Sequence, residues 1–177
     1  MKTKITRVLA ILLLVLPMVF LSCEKDEDSS SVDTNKIIGL WNYQSVDLDA
    51  TVNGKTPIAF VMDEFDVPEV IAQGMVDEFM DELEDDFLSE FPNSIDIKAD
   101  GTYVVTFTDS STDNGDWEVS GDKLIVDKGS VYEMQMTIVS LTDTKLIVKL
   151  TDSQKEDITE DGIDETMSVT ATITYIK

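Results

Sequence analysis

From residue 37 onward, apolar and polar residues alternate in short runs separated by turn signals, as in strands with one dry and one wet face. The first run, residues 37–52, stops at Asn53-Gly54, a strong hairpin signal that predicts a return strand over residues 55–61. Ile95 and Ile97 alternate before Asp100-Gly101 turns the chain into a strand over 102–108, where Tyr103, Val105 and Phe107 share a face. Trp117 and Val119 mark a short strand that Ser120-Gly121-Asp122 turns into residues 123–127. Tyr132, Met134, Met136 and Ile138 share the next face, followed by Leu146, Val148 and Leu150 and then by Met167, Val169, Ala171, Ile173 and Tyr175. About eight antiparallel strands with short connections leave no room for crossover helices. They predict an all-β, up-and-down sheet that closes into a barrel, since closure removes exposed edges. A two-sheet β-sandwich is the alternative.

One segment changes period. Over residues 66–91, Ile71, Met75, Val76, Phe79, Met80, Leu83, Phe87 and Phe91 recur at three and four, which predicts an inserted amphipathic helix. Asp66 and Glu69 have capping-box spacing, Pro68 suits a first turn and Pro92 stops the run. Residues 63–90 carry twelve acidic side chains and no basic one, so one helix face is strongly negative. The apolar stripe is either packed as core or lid, or exposed as a groove-binding surface.

The N-terminus follows a different logic. Lys2, Lys4 and Arg7 precede an apolar run over residues 8–21 and then small Ser22, the layout of an export signal over residues 1–22 that is too short to span a bilayer comfortably. Cys23 is the only cysteine. Phe20-Leu21-Ser22-Cys23 resembles a bacterial lipobox, which implies cleavage before Cys23 and acylation of its thiol. Residues 23–36 are acidic and Ser-rich, as expected of a tether. Within it Lys25, Asp26, Glu27 and Asp28 resemble the export signal of Bacteroidetes-type lipoproteins, implying display on the outer face of the outer membrane, with a periplasm-facing anchor as the alternative.

Charge and missing side chains narrow the function. The chain has 13 basic and 36 acidic residues, a formal charge of −23; removing Lys2, Lys4 and Arg7 with the signal leaves 10 basic residues and −26. Nucleic acid is therefore not an expected partner. No arginine follows Arg7 and histidine is absent, and the lipobox resemblance implies that the single thiol is committed to lipid. That removes guanidinium clamps, His-assisted nucleophiles and Cys/His metal sites. No catalytic residue, metal or cofactor is expected. Asp157-Ile158-Thr159-Glu160-Asp161-Gly162 approaches a calcium-loop start, but Thr159 breaks it and Ser168 stands where the bidentate Glu belongs.

Gly39-Leu40-Trp41, with the turn-plus-strand units Asp100-Gly101-Thr102-Tyr103 and Gly115-Asp116-Trp117, resembles the bacterial lipocalin-like lipoproteins over residues 37–177, apart from the helix. The resemblance implies a lipocalin-like barrel on a lipid anchor, with Trp41 packed across its closed base, and a small apolar ligand or an interaction role. The early helix departs from the usual lipocalin order. If the barrel has a cavity, Tyr103, Phe107, Tyr132, Met134, Met136, Met167 and Tyr175 are its candidate lining; otherwise they are core. A non-enzymatic interaction or structural module, docking a basic envelope protein on the acidic helix, is the competing expectation.

Overall fold

The computed structural model describes residues 32–159 and 161–177; the export signal expected over residues 1–22, Cys23 and residues 25–28 lie outside them. The described chain runs through α1 (Thr34–Ile37), β1 (Gly39–Val52), α2 (Pro57–Phe65), α3 (Glu69–Glu90), β2 (Ser94–Ile97), β3 (Thr102–Thr106), β4 (Thr112–Ser120), β5 (Lys123–Val126), β6 (Met134–Leu141), β7 (Lys145–Glu156) and β8 (Glu165–Ile176). The eight strands form a closed barrel in sequence order, every neighbour antiparallel, with β1 pairing both β2 and β8. The sandwich alternative is thereby excluded.

Two bulges keep apolar residues inside. On β1 the register shifts between Tyr43 and Ser45, so the inward parity passes from Trp41 and Tyr43 to Val46, Leu48, Ala50 and Val52. Without that extra residue the second half of the strand would point its apolar set at solvent. On β6 a shift between Ile138 and Ser140 leaves Val139 exposed and returns Leu141 to the core.

The barrel is lopsided. Beyond Asn42, β1 pairs only β8, and beyond Lys149, β7 pairs only β8. These three strands continue as a ribbon past the closed part, and its apolar face needs a cover. Phe60 of α2 supplies it, forming a small buried cluster with Val52 and Met167 against which Val61, Phe79 and Val169 pack.

Three expectations are corrected here. Residues 55–61 are not a strand: after Asn53-Gly54 only one bridge, Val52 to Lys55, is made, and α2 begins at Pro57. Thr56 caps α2, its Oγ1 accepting from the Ala59 N–H at 3.3 Å, and Pro57 takes the first turn, where its missing N–H costs nothing. Asp66 does not cap the long helix: it ends α2 in the left-handed region, and α3 starts after Pro68 without a side-chain cap. Lastly, residues 34–36 are not free tether. They belong to α1, capped by Asp33, which places Ile37 fully buried in the main core.

That placement closes the base. Trp41 is fully buried, and its indole N–H donates to the Ile37 carbonyl at 2.6 Å. The Lys177 ammonium lies 4.5 Å from the Trp41 ring centroid and donates to the carbonyls of Lys36 and Ile38, both at 2.9 Å. Gly39 makes room for this staple: its φ is +132°, and a Cβ there would sit 3.2 Å from Lys177 Cε. In this up-and-down barrel, α1 and the turns after β2, β4 and β6 mark the closed end. The helices and the loops after β3, β5 and β7 surround the other.

Candidate functional site

At the helical end the barrel holds a cavity of about 180 Å³ on its short-strand side. Ile95 and Ile97 of β2, Tyr103 and Val105 of β3, Trp117 of β4, Leu124 and Val126 of β5, and Met134 and Met136 of β6 form its wall. Successive inward positions of four- and five-residue strands reach it because a strand's side chains alternate. Phe107, after β3, and Glu90, Phe91 and Pro92, at the end of α3, complete the rim with Asp113. The stacked rings of Phe87 and Phe91, with centroids 4.5 Å apart, seat this end of α3 on the core. So α3 serves as a lid with its C-terminal half. Its N-terminal half leaves Val70, Ile71 and Met75 exposed.

The cavity's polar donors are already occupied. The Tyr103 hydroxyl donates to Asp127 Oδ2 at 2.7 Å, and the Trp117 indole N–H donates to the Lys98 carbonyl at 2.9 Å. Burial, reinforced by the Asp127 carboxylate, pushes the Tyr103 phenol well above the usual tyrosine range, so it stays a neutral donor. Gly115 is paired directly opposite Tyr103, so the ring lies over a position without a side chain. Glu90, at the rim, is held above the usual carboxylate range by partial burial and then by neighbouring Asp86.

Of the lining residues expected from sequence, Tyr103, Phe107, Met134 and Met136 meet at this cavity. Three others do not. Tyr132 precedes β6 in a turn, 66% exposed, with its N–H bonded to Ser130 Oγ, because the period-two pattern overran the strand start. Met167 packs under the helices with Val52 and Phe60. Tyr175 is core, edge-on to Tyr43 at 6.4 Å, and burial raises its phenol strongly. Its hydroxyl has no hydrogen-bond partner among the described residues. The sequence expectation leaves out the aliphatic part of this wall: Ile95 and Ile97 alternate on β2, but on β5 the continuous run Leu124-Ile125-Val126 offers no alternation to read.

The acidic loop over residues 157–162 spends its first carboxylate on structure, Asp157 accepting the N–H groups of Asp161 and Gly162, both at 3.0 Å. Among the described residues no cluster of three acidic or other metal-ligating side chains occurs. Among them, too, no helix is long and apolar enough to cross a membrane.

The profile of the lipocalin-like domain matches residues 37–148, from the buried Ile37 into β7. The chain belongs to the lipocalin-like domain family. This lipocalin-like chain therefore has a barrel of a generally non-enzymatic binding fold, and β8, which closes it, follows the matched region. No curated protein and no solved structure matches the chain.

Proposed function

We propose that this lipocalin-like chain binds a small apolar molecule inside the barrel. The observation that carries the reading is the apolar cavity of about 180 Å³ under the end of α3. An apolar protein cavity of about 150 Å³ stays dry and takes up benzene, so this volume suits one substituted ring rather than a long lipid. Two methionines in the wall let it adapt to shape. Calorimetric titration with toluene is expected to show saturable one-site binding. Met134→Trp, which puts an indole into the cavity from the β6 side, is expected to weaken it by about tenfold or more. Equal affinity in both proteins, each folded by circular dichroism, would remove the cavity as the site.

The same proposal places the domain on a membrane through Cys23. The supporting features are the basic start, the apolar run over residues 8–21 and the single cysteine behind Leu21-Ser22. Two or more acyl chains on that residue would hold the chain stably on a bilayer. Residues 25–28 would direct it to the outer face of the outer membrane. Palmitate labelling in the native host is expected to vanish in Cys23→Ser, with the protein lost from the membrane fraction. Undiminished labelling of the variant would sink the anchor.

A further inference from the structure

We propose that the cavity takes an amine: a compact apolar body seated inside the barrel, with a cationic head held at the rim by Glu90 and Asp113. The inference rests on the cavity reading above and adds the ligand's charge.

Three observations carry it. Every ionisable group of the lining other than the Tyr103 phenol is a carboxylate, and both carboxylates stand on the rim, one from α3 and one from β4, while the interior is apolar. Neither Glu90 nor Asp113 has an ion-pair partner among the described residues. Lys36 pairs with Asp143, Lys55 with Asp63 and Lys128 with Glu118, and Lys177 is held at the closed base. And the two side-chain donors of the wall, the Tyr103 hydroxyl and the Trp117 indole, are bonded to Asp127 and to the Lys98 carbonyl.

An anionic ligand would thus bring its charge to two like charges with no free side-chain donor to receive it, and desolvation would go uncompensated. A neutral ligand gains burial alone. An ammonium gains the same burial and in addition meets two acceptors, and its charge offsets the unfavourable neighbourhood that holds Glu90 above the usual carboxylate range. Because both carboxylates are solvated at the rim, the added attraction is moderate, on the order of a fewfold in affinity.

Benzyl alcohol, benzylamine and benzoate are near-isosteric one-ring probes, neutral, cationic and anionic at neutral pH. In calorimetric titrations of the domain at physiological salt, benzylamine is expected to bind about fivefold tighter than benzyl alcohol, and benzoate more weakly than either. In Glu90→Gln/Asp113→Asn the ratio of amine to alcohol affinity is expected to fall to about one. Taking the ratio within a single protein makes the result independent of any change in fold stability. Equal binding of alcohol and amine by the unaltered domain would overturn the amine assignment and leave the cavity reading standing. A ratio that survives in the double variant would overturn it as well, by assigning the preference to the field of the whole acidic surface. Binding of none of these three probes, nor of toluene, would overturn the cavity reading and the amine with it.

Discussion

Replacing Trp41 with alanine is expected to lower the melting temperature of the domain by about 10–15 °C. The indole is fully buried at the base, and removing such a side chain costs about 3–5 kcal/mol through lost burial and the cavity left behind. The loss does not stop there. The Ile37 carbonyl loses its 2.6 Å donor and the Lys177 ammonium loses the ring beneath it, so α1 and the C-terminal residue are both released from the plug. Against a typical domain stability of about 5–15 kcal/mol the change is large. Trp41→Phe keeps an aromatic face for Lys177 but not the indole N–H, and it should recover about half of the loss. A scanning-calorimetry shift for the alanine variant below about 3 °C would contradict the assignment of the base as a cooperative closure.

The second large effect is expected at Gly115. A Cβ built there clashes outright with Asp127 Oδ1 and lies 2.9 Å from both Asp127 Cγ and Tyr103 Cε1. Gly115→Ala therefore has to displace the carboxylate that receives the Tyr103 hydroxyl, and forcing extra volume into a packed contact costs about 1–3 kcal/mol. Asp127→Gly removes the clashing side chain and suits that residue's positive φ of 52°. The double variant is expected to be less destabilised than the sum of the two single variants by about 1 kcal/mol or more, the coupling expected of residues in contact. Simple additivity in chemical denaturation would mean that the strand tolerates a methyl group by some other movement.

Where one signal dominated a segment, sequence and structure agree. The alternation from Met167 to Tyr175 gives β8 its inward set, and Tyr103 with Val105 gives β3 its own. From β2 onward the order of strands also follows from the short connections, whereas β1 and β2 are joined through α2 and α3. Where two signals competed, the weaker-looking one won. Asn53-Gly54 announces a hairpin, yet Thr56-Pro57 behind it is a cap and a first turn, and Phe60 finds its burial on the ribbon as part of a helix. The bulge between Tyr43 and Ser45 could not be seen in sequence, because a parity change depends on which partner strand the residues meet. Periodicity likewise puts Met167 and Tyr175 on the inward face with the cavity residues, because it says which face a residue is on but not how far along the barrel it lies. The aliphatic wall and the two carboxylates at the rim come together only through closure, as Glu90 and Asp113 are distant in sequence and belong to different elements.

An even number of antiparallel strands brings both ends of the barrel's chain out on one side, and here that side is sealed by α1, Trp41 and Lys177. The molecule thus has a fixed polarity. Whatever holds the chain through residues ahead of Val32 pulls on the plugged base, and the cavity under α3 opens at the opposite pole. A domain tethered in this way would present its opening to the surroundings and its plug to the support, at whatever angle the tether swings.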